Sequence, residues 1–593
     1  MKKYIFGLFT LASAFALTAC SDFLDQMPDE RTELANETEV VDLLKGAYPF
    51  YNYQYVCELT SDNLIDNNAP HLPSSPNDKQ VESHYNYPSN ARWNEEIFRF
   101  EPANTATYSD SDSPGEIWVS FFNSIASVNA ALEAIDQIAA KQNINRREDF
   151  GLLSSRLRAA YGEAMLLRAY DHFMLANIFG QAYKNETTSA NEISLPYVSE
   201  PETQLQKDYT RLSVKEMYDK IIADLEEGLK YVSDSYYDAP KYHFNTQAAH
   251  AFAARVYLFH HDWDKVIEHA NVVLGTTDES LLRMCMNYAV FENCASISDY
   301  ANAWQNPDLN NNLMLLDTYS TYARKIFGYR FSLAGEAASA AMMVRTNSPL
   351  WSGYIVPPMA IVGGMLFGSS SQDYGWFSSK IEERFQMLDK IAQTGYVHQI
   401  IRAFTGMNLL LERAEAYIMK NDLTNASKDL IAYWNNSFET FSDKDKDSYA
   451  RYFKSLTEEL LLSAYTNTES SKKVNCFDNW NFLTQNISSD ITVSADAVPY
   501  MNCLNDFRRF ENAFEGIRLL DLKRWGMEWT HYYGLDKTPY VMAGTDARRA
   551  LEAPWEALAN GAGTSRPTQE ATSTNEARRS LEFPSNEKLR VKN

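Results

Sequence analysis

The chain repeats one helix-packing pattern. In residues 246–275, Ala254 stands three positions before Tyr257, with Val266 nine further on and Ala270 four beyond that. In residues 406–436, Ala414, Tyr417, Ala426 and Leu430 fall at the same offsets. Each segment breaks at a polar turn, His261-Asp262-Trp263 in one and Asn421-Asp422 in the other. Apolar residues recur at three- and four-residue spacing, the period of a helix with one buried face. A small residue at the crossing lets two antiparallel helices approach closely, and the tyrosine fills the space beside it. Two uses of one packing solution predict helical hairpins, each covering the apolar face of its neighbour.

This is the logic of a tetratricopeptide (TPR) unit. Two units are too few for such an array, so further pairs are expected, joining 115–140 with 152–179, and 213–232 with a neighbour. Helical patterns also occur at 38–53, 379–393, 399–420, 423–436 and 507–525. Between them run long stretches rich in Asn, Ser, Asp, Pro and Tyr, chiefly 61–112, 180–211, 276–378 and 466–506. Loops of that length are usually functional or disordered. No sustained strand alternation appears, apart from room for short hairpins in the loops. The predicted fold is mostly α: a TPR-like helical-repeat body with a loop-rich cap.

The N-terminus carries a different signal. Lys2 and Lys3 precede an apolar run from Tyr4 to Leu17, too short for a membrane span, and Leu17-Thr18-Ala19-Cys20 closes it. That tetrapeptide resembles a bacterial lipobox, which implies cleavage before Cys20 and its diacylation. The polar stretch 21–37, with Pro28, reads as a tether. The expected organisation is a signal peptide over 1–19, a lipidated tether over 20–37 and one helical domain over 38–593, with insertions at 61–112 and 276–378.

Removing residues 1–19 deletes two lysines and no acid, taking the formal charge from −24 to about −26. So acidic a chain offers no basic face for nucleic acid. It is also repelled by anionic lipid, so attachment must come from the acyl chains. After Cys20, five cysteines remain (Cys57, Cys285, Cys294, Cys476 and Cys503), without CxxC spacing or an even count. Cys285 and Cys294 are either a pair or buried free thiols.

Several segments together resemble the SusD/RagB family of Bacteroidetes outer-membrane lipoproteins. Arg168-Ala169-Tyr170-Asp171-His172-Phe173-Met174-Leu175, running to Phe179-Gly180, is similar to its RAY-x-x-F-x-L…FG helix. Arg211-Leu212-Ser213-Val214, then Tyr218, Ile221-Ile222 and Asp224-Leu225-Glu226, resembles its R-x-S-V…DLE segment. The repeat Ala253 to Ala270 resembles its A-R-V-Y-L…D-W-x-K helix pair, and Arg413-Ala414-Glu415-Ala416-Tyr417 its RAEAY core. Phe514-Glu515-Gly516-Ile517-Arg518 and Asp521-Leu522-Lys523-Arg524-Trp525-Gly526 resemble its FEG-x-R…DL-x-RWG signature. Residues 277–395 depart from the family's spacing, and the tail after Trp529 matches only loosely. The resemblance implies a SusD-like body that captures a nutrient as a lid over a TonB-dependent SusC-like transporter. It also implies a lipid-anchored, surface-exposed location at the outer membrane.

Chemistry-bearing motifs are sparse. His260-His261-Asp262-x-Asp264 lacks a metal-site spacing, and no GxSxG, P-loop or GxGxxG occurs. No catalytic residue, metal or cofactor is therefore assigned. Glu515, Arg518, Asp521 and Arg524, at i, i+3, i+6 and i+9, form an ion ladder if the helix is continuous, unless Gly516 interrupts it. Trp118 and Phe122 read as helix packing. Tyr 36, Phe 31 and Trp 11 make 13% of the chain aromatic, and such rings suit stacking on the C–H face of a pyranose. The loops hold Tyr85, Tyr87, Trp93, Trp304, Tyr319, Tyr322, Trp351, Tyr354, Tyr374 and Trp376. The expected ligand contacts are Trp93, Trp304 and Tyr322, with Asp62 and Asn67 as polar partners and Asn63 and Asp66 as further candidates in the same loop. The expected function is non-enzymatic capture of an oligosaccharide for import. Peptide capture of the RagB kind, and a secreted α-helical glycoside hydrolase or lyase, are the alternatives.

Overall fold

The computed structural model describes residues 34, 36–69, 87–103, 110–202, 209–327, 330–334, 365–367, 375–440, 447, 454–466 and 491–563. Cys20 and Cys476 lie outside them. Among the described residues, nine helices build the body: α1 (Pro114–Lys141), α2 (Ser155–Phe179), α3 (Val214–Leu229), α4 (Thr246–His260), α5 (Trp263–Leu274), α6 (Gly406–Met419), α7 (Leu423–Glu439), α8 (Val498–Glu511) and α9 (Ile517–Arg524). The chain is mostly helical, as the periodicity predicts.

The two repeats adopt one conformation. His261 and Asn421 both sit in the left-handed region, at φ 68° and 58°. The following aspartates, Asp262 and Asp422, cap α5 and α7 by accepting from the backbone N–H groups of Lys265 and Asn425. Asp262 N–H donates to the Tyr257 carbonyl at 2.9 Å, and Asp422 N–H to that of Tyr417 at 2.8 Å. Ala254, Ala270, Ala414 and Ala426 are fully buried at the crossings. α4 packs on α5, α5 on α6, and α6 on both α7 and α8.

Of the further pairs, α1 packs on α2, and α3 takes α2 as its neighbour. The α2–α3 crossing is tight because Gly162 and Gly228 face each other's helix. A Cβ at Gly162 would lie 2.5 Å from the Val232 nitrogen, and one at Gly228 2.9 Å from the Gly162 carbonyl oxygen. α2 is buried nearly all round from Leu157 to Phe179, as a helix covered on several sides must be.

Strands appear where helices were expected. Residues 384–389 form β6 and 394–405 form β7, which with β2 (Asn312–Tyr319) makes an antiparallel sheet in the order β2-β7-β6. The β-branched run Val397, Ile400 and Ile401 pairs with β2 and β6, and helix resumes only at Gly406. A second sheet orders β1 (Ile65–Asp66), β3 (Phe331–Ala334), β5 (Gly375–Phe377) and β4 (Met365–Phe367) as β1-β3-β5-β4. β8 (Trp529–Tyr533) and β9 (Thr538–Met542) form a hairpin. The helix expected over 38–53 stops at Lys45.

The expected ion ladder is not one helix. Gly516, at φ 74°, breaks the chain between α8 and α9. Glu515 pairs with Arg402, Arg518 with Asp62, and Arg524 with both Asp521 and Glu415. These buried pairs join α9 to the first loop and to α6, and the turn before α9 to β7. The described cysteines, Cys57, Cys285, Cys294 and Cys503, are free thiols. No described helix is long and apolar enough to cross a membrane.

Candidate ligand-binding site

The loops singled out by sequence converge with the C-terminal hairpin on one half-buried shelf. β1 ends at Asp66, the helix Arg92–Phe98 supplies Glu95, and Arg99 follows it. Arg330 leads into β3, which pairs with β1 so that Asp66 faces Phe331. β8 ends at Tyr533. Four segments distant in sequence thus meet.

Arg330 organises the shelf. Its Nε and Nη2 donate to the two carboxylate oxygens of Asp66, both at 2.8 Å, and Nη1 lies 3.2 Å from Glu95. Its guanidinium carbon sits 4.2 Å from the Tyr533 ring centroid, and that of Arg99 lies 4.7 Å from it. The Tyr533 hydroxyl donates to Glu95, and Gly534 N–H to Asp66 at 2.9 Å. Arg99 reaches Glu101 at 2.6 Å. Burial works against the charge on Arg330, but the hydrogen bonds and charge of Asp66, with Tyr533 and Glu95, together outweigh it and raise its pKa. Burial and the Glu95 contact likewise raise the Tyr533 phenol. Asn68 exchanges hydrogen bonds with the Tyr87 backbone at 2.7 and 2.9 Å, holding Tyr87 beside the shelf.

Chemically this is a rigid array of planar donors and acceptors around an aromatic ring. Arg330, Arg99, Glu95 and Glu101 keep 11–33% of their side-chain surface exposed. Guanidinium and carboxylate forks suit paired ligand groups. The half-buried Tyr533 and Tyr540, edge to face at 6.1 Å, add apolar surface with polar tips.

The five residues singled out as ligand contacts are interior. Asp62 is 6% exposed and bonded to Arg518, and Asn67 donates to Ser332 Oγ at 2.7 Å directly beneath the shelf. Trp93 is 1% exposed; its Nε1 donates to Asp110, and Tyr55 packs edge-on against it at 5.9 Å. Tyr322, fully buried, also packs against Tyr55, at 5.4 Å. Trp304 stands apart against Tyr288 and Phe291, with Lys380 and Arg402 over its ring at 5.0 and 4.7 Å. The expectation of loop rings open to a ligand is corrected: Trp93, Trp304 and Tyr322 sit on short helices and turn inward to fill core. Asp62 and Asn67 flank β1 and fix the segment that carries Asp66, Trp93 and Tyr322 meet at Tyr55, and Trp304 does not join them.

Of the other loop aromatics, Tyr319 packs against Tyr396 at 4.5 Å. Tyr85, Trp351, Tyr354, Tyr374 and the Trp376 side chain lie outside the described parts. In the histidine cluster, His260 stacks near Tyr183, Asp262 is a helix cap and Asp264 pairs with Lys420. Sequence reasoning missed Arg330 and Tyr533. Neither sits in a motif, and their partners are hundreds of residues away.

Residues 22–258 match the SusD-like family model described as "Starch-binding associating with outer membrane". A SusD superfamily protein from Bacteroides thetaiotaomicron VPI-5482 aligns at 16% identity and TM-score 0.52, covering 90% of this chain and 100% of its own. One from Bacteroides fragilis aligns at 14% identity and TM-score 0.54, covering 89% and 99%. A laminarin-binding SusD-like protein aligns at 16% identity and TM-score 0.50, covering 90% and 99%. No curated protein matches the sequence.

Proposed function

We propose that the chain is a SusD-like protein, on the match over residues 22–258 and the likeness of its fold, and that it captures an oligosaccharide at the cell surface. The ligand lies on the Arg330–Tyr533 shelf. Its hydroxyls bond the guanidinium and carboxylate forks, and its C–H faces rest on tyrosine rings. The observation that carries this reading is the stacking of Arg330 on Tyr533 while both its outer nitrogens are fixed by Asp66 and Glu95. Such pre-organisation lowers the entropy cost of binding.

In this reading the protein binds without turnover. Asp66, Glu95 and Glu101 are each engaged by an arginine, whereas glycoside hydrolysis needs one carboxyl as an acid and a second as base or nucleophile. Diacylated Cys20 holds the body at the outer membrane, where it delivers ligand to a SusC-like TonB-dependent transporter. The laminarin-binding relative and the starch-binding family description support a glucan as the first ligand to try. Affinity electrophoresis against a glycan panel, with reducing-end assays on the same samples, tests the reading. Retarded migration without new reducing ends supports it. Steady release of reducing ends contradicts it, as does a full panel without retardation. Co-purification with an outer-membrane transporter tests the delivery step.

A further inference from the structure

β6 (Arg384–Asp389) is the outer strand of the β2-β7-β6 sheet, and among the described residues it pairs with β7 alone. Edge strands are usually blunted by lysine, proline or a covering segment, because their backbone groups recruit another strand. This edge shows apolar side chains instead. Phe385, Met387 and Leu388 are 41–69% exposed, and Ile391 in the turn beyond is 97% exposed.

The register with β7 sorts β6 by face. Arg384 lies opposite His398, and Gln386 lies opposite Tyr396, whose hydroxyl donates to the Gln386 amide oxygen. A bulge between Met387 and Asp389 absorbs Leu388 and returns Asp389 to that same face, opposite Thr394. Phe385 and Met387 stand on the other face, opposite Val397 and Gly395. One face thus reads Arg384, Gln386, Asp389, and the other carries Phe385 and Met387 with Leu388 beside them.

Turned end for end, that order is its own complement. A two-fold axis through Gln386, perpendicular to the sheet, lays a second copy antiparallel along β6. Arg384 of each copy then stands opposite Asp389 of the other, Gln386 meets its own image, and Phe385 faces Met387 and Leu388. Arg384 commits Nη2 to Gln305 at 2.5 Å, and Asp389 commits Oδ1 to the N–H groups of Ile391 and Ala392. Each keeps its other polar atoms for the pair. Any strand could satisfy the free backbone groups, but this match of charge and apolar side chains is one that β6 makes with itself. The formal charge of −24 opposes haphazard contact between copies, so the matched order singles out this edge. We propose that β6 is a self-association edge, where two copies of the chain pair antiparallel and extend the three-stranded sheet to six. Such an interface is isologous and closed. It is independent of the glycan reading of the shelf.

The full-length Cys20→Ala chain, in which acyl groups cannot bring copies together, tests the proposal. On mild oxidation Gln386→Cys should form a disulfide-linked dimer, while Leu152→Cys, at an exposed position on another segment, should not. Sedimentation equilibrium without oxidant should show a mass rising with concentration toward twice that of the chain. Leu388→Lys, at an exposed position that leaves the fold intact, should weaken association about tenfold. Arg384→Asp should weaken it as well, by setting like charges opposite each other, and adding Asp389→Arg should recover it. A monomer at every concentration up to about 0.5 mM overturns the proposal. So does cross-linking at residue 386 no better than at residue 152, or association unchanged by Leu388→Lys. Open-ended aggregates in place of a discrete dimer contradict the two-fold pairing, as does a double charge variant no better than Arg384→Asp alone.

Discussion

Asp62 receives both arms of the Arg518 guanidinium, Nε at 2.8 Å and Nη2 at 2.9 Å, across 456 positions of sequence. The pair is buried, and Arg509 reinforces it by donating to the Asp62 carbonyl and to Asn63 Oδ1 at 2.7 and 2.9 Å. It locks the loop that leads into β1, and hence the base of the shelf, onto α9.

Asp62→Asn should therefore cost about 3–5 kcal/mol, because it leaves a buried guanidinium uncompensated. Burial raises the Asp62 carboxyl, but Arg509 and Arg518 outweigh it and hold the pKa well below the usual 3.8. A depressed carboxyl contributes stability that is present above its unfolded pKa and lost as pH falls below it. The wild type should thus lose more stability than the variant on acidification below about pH 4. Urea denaturation across pH checks both; a cost under about 1 kcal/mol contradicts the assignment.

Glu58 has the opposite sign. Burial raises its carboxyl to about 7, against the Asn63 and Gly516 hydrogen bonds that favour ionisation. A raised group gives stability that is full below the unfolded value of 4.5 and lost as pH climbs through about 7. Glu58→Gln, which mimics the protonated form, should flatten this part of the stability profile. An unchanged difference between wild type and variant from pH 4.5 to 7.5 refutes the shift.

Gly162→Ala sets helix propensity against packing. Propensity alone favours alanine by about 1 kcal/mol. The new Cβ would lie 2.5 Å from the Val232 nitrogen and 2.7 Å from the Tyr231 carbonyl carbon. Overpacking of that kind costs about 1–3 kcal/mol, so a net loss is expected. Gly151→Ala, with nothing within 4 Å of the added carbon, serves as the open-space control. A stabilised Gly162→Ala protein contradicts the close α2–α3 approach.

Cys20→Ala should leave ligand binding in vitro intact and release the protein from the outer membrane. Fractionation and binding assays read the two separately. Lost binding, or unchanged membrane association, contradicts the tether.

The repeats were legible because helix crossing is local chemistry. Small Ala254 and Ala414, Tyr257 and Tyr417, and an aspartate cap after a polar turn stand at fixed offsets in each hairpin. The helices expected over 379–393 and at the start of 399–420 are strands because Phe385, Met387 and Leu388 also fit a helical period, and only the pairing of β6 with β7, and of β7 with β2, decides for strand. The shelf was invisible for a related reason. Asp66 and Arg330 are 264 positions apart, and no local pattern announces their pairing. Trp93, Trp304 and Tyr322 read as loop residues because the helices that carry them, Arg92–Phe98, Ile297–Trp304 and Tyr322–Ile326, are too short to show a helical period, and each turns its ring into the core.

The central claim is that the Arg330–Tyr533 shelf holds the ligand. Calorimetric titration of wild type, Arg330→Ala and Tyr533→Ala with a β-glucan oligosaccharide from laminarin, and with maltoheptaose, tests it most directly. The account predicts binding of one of them by the wild type and at least about a tenfold loss in each variant, or about 1.4 kcal/mol, with the fold retained by circular dichroism. Wild-type affinity in both folded variants would contradict it.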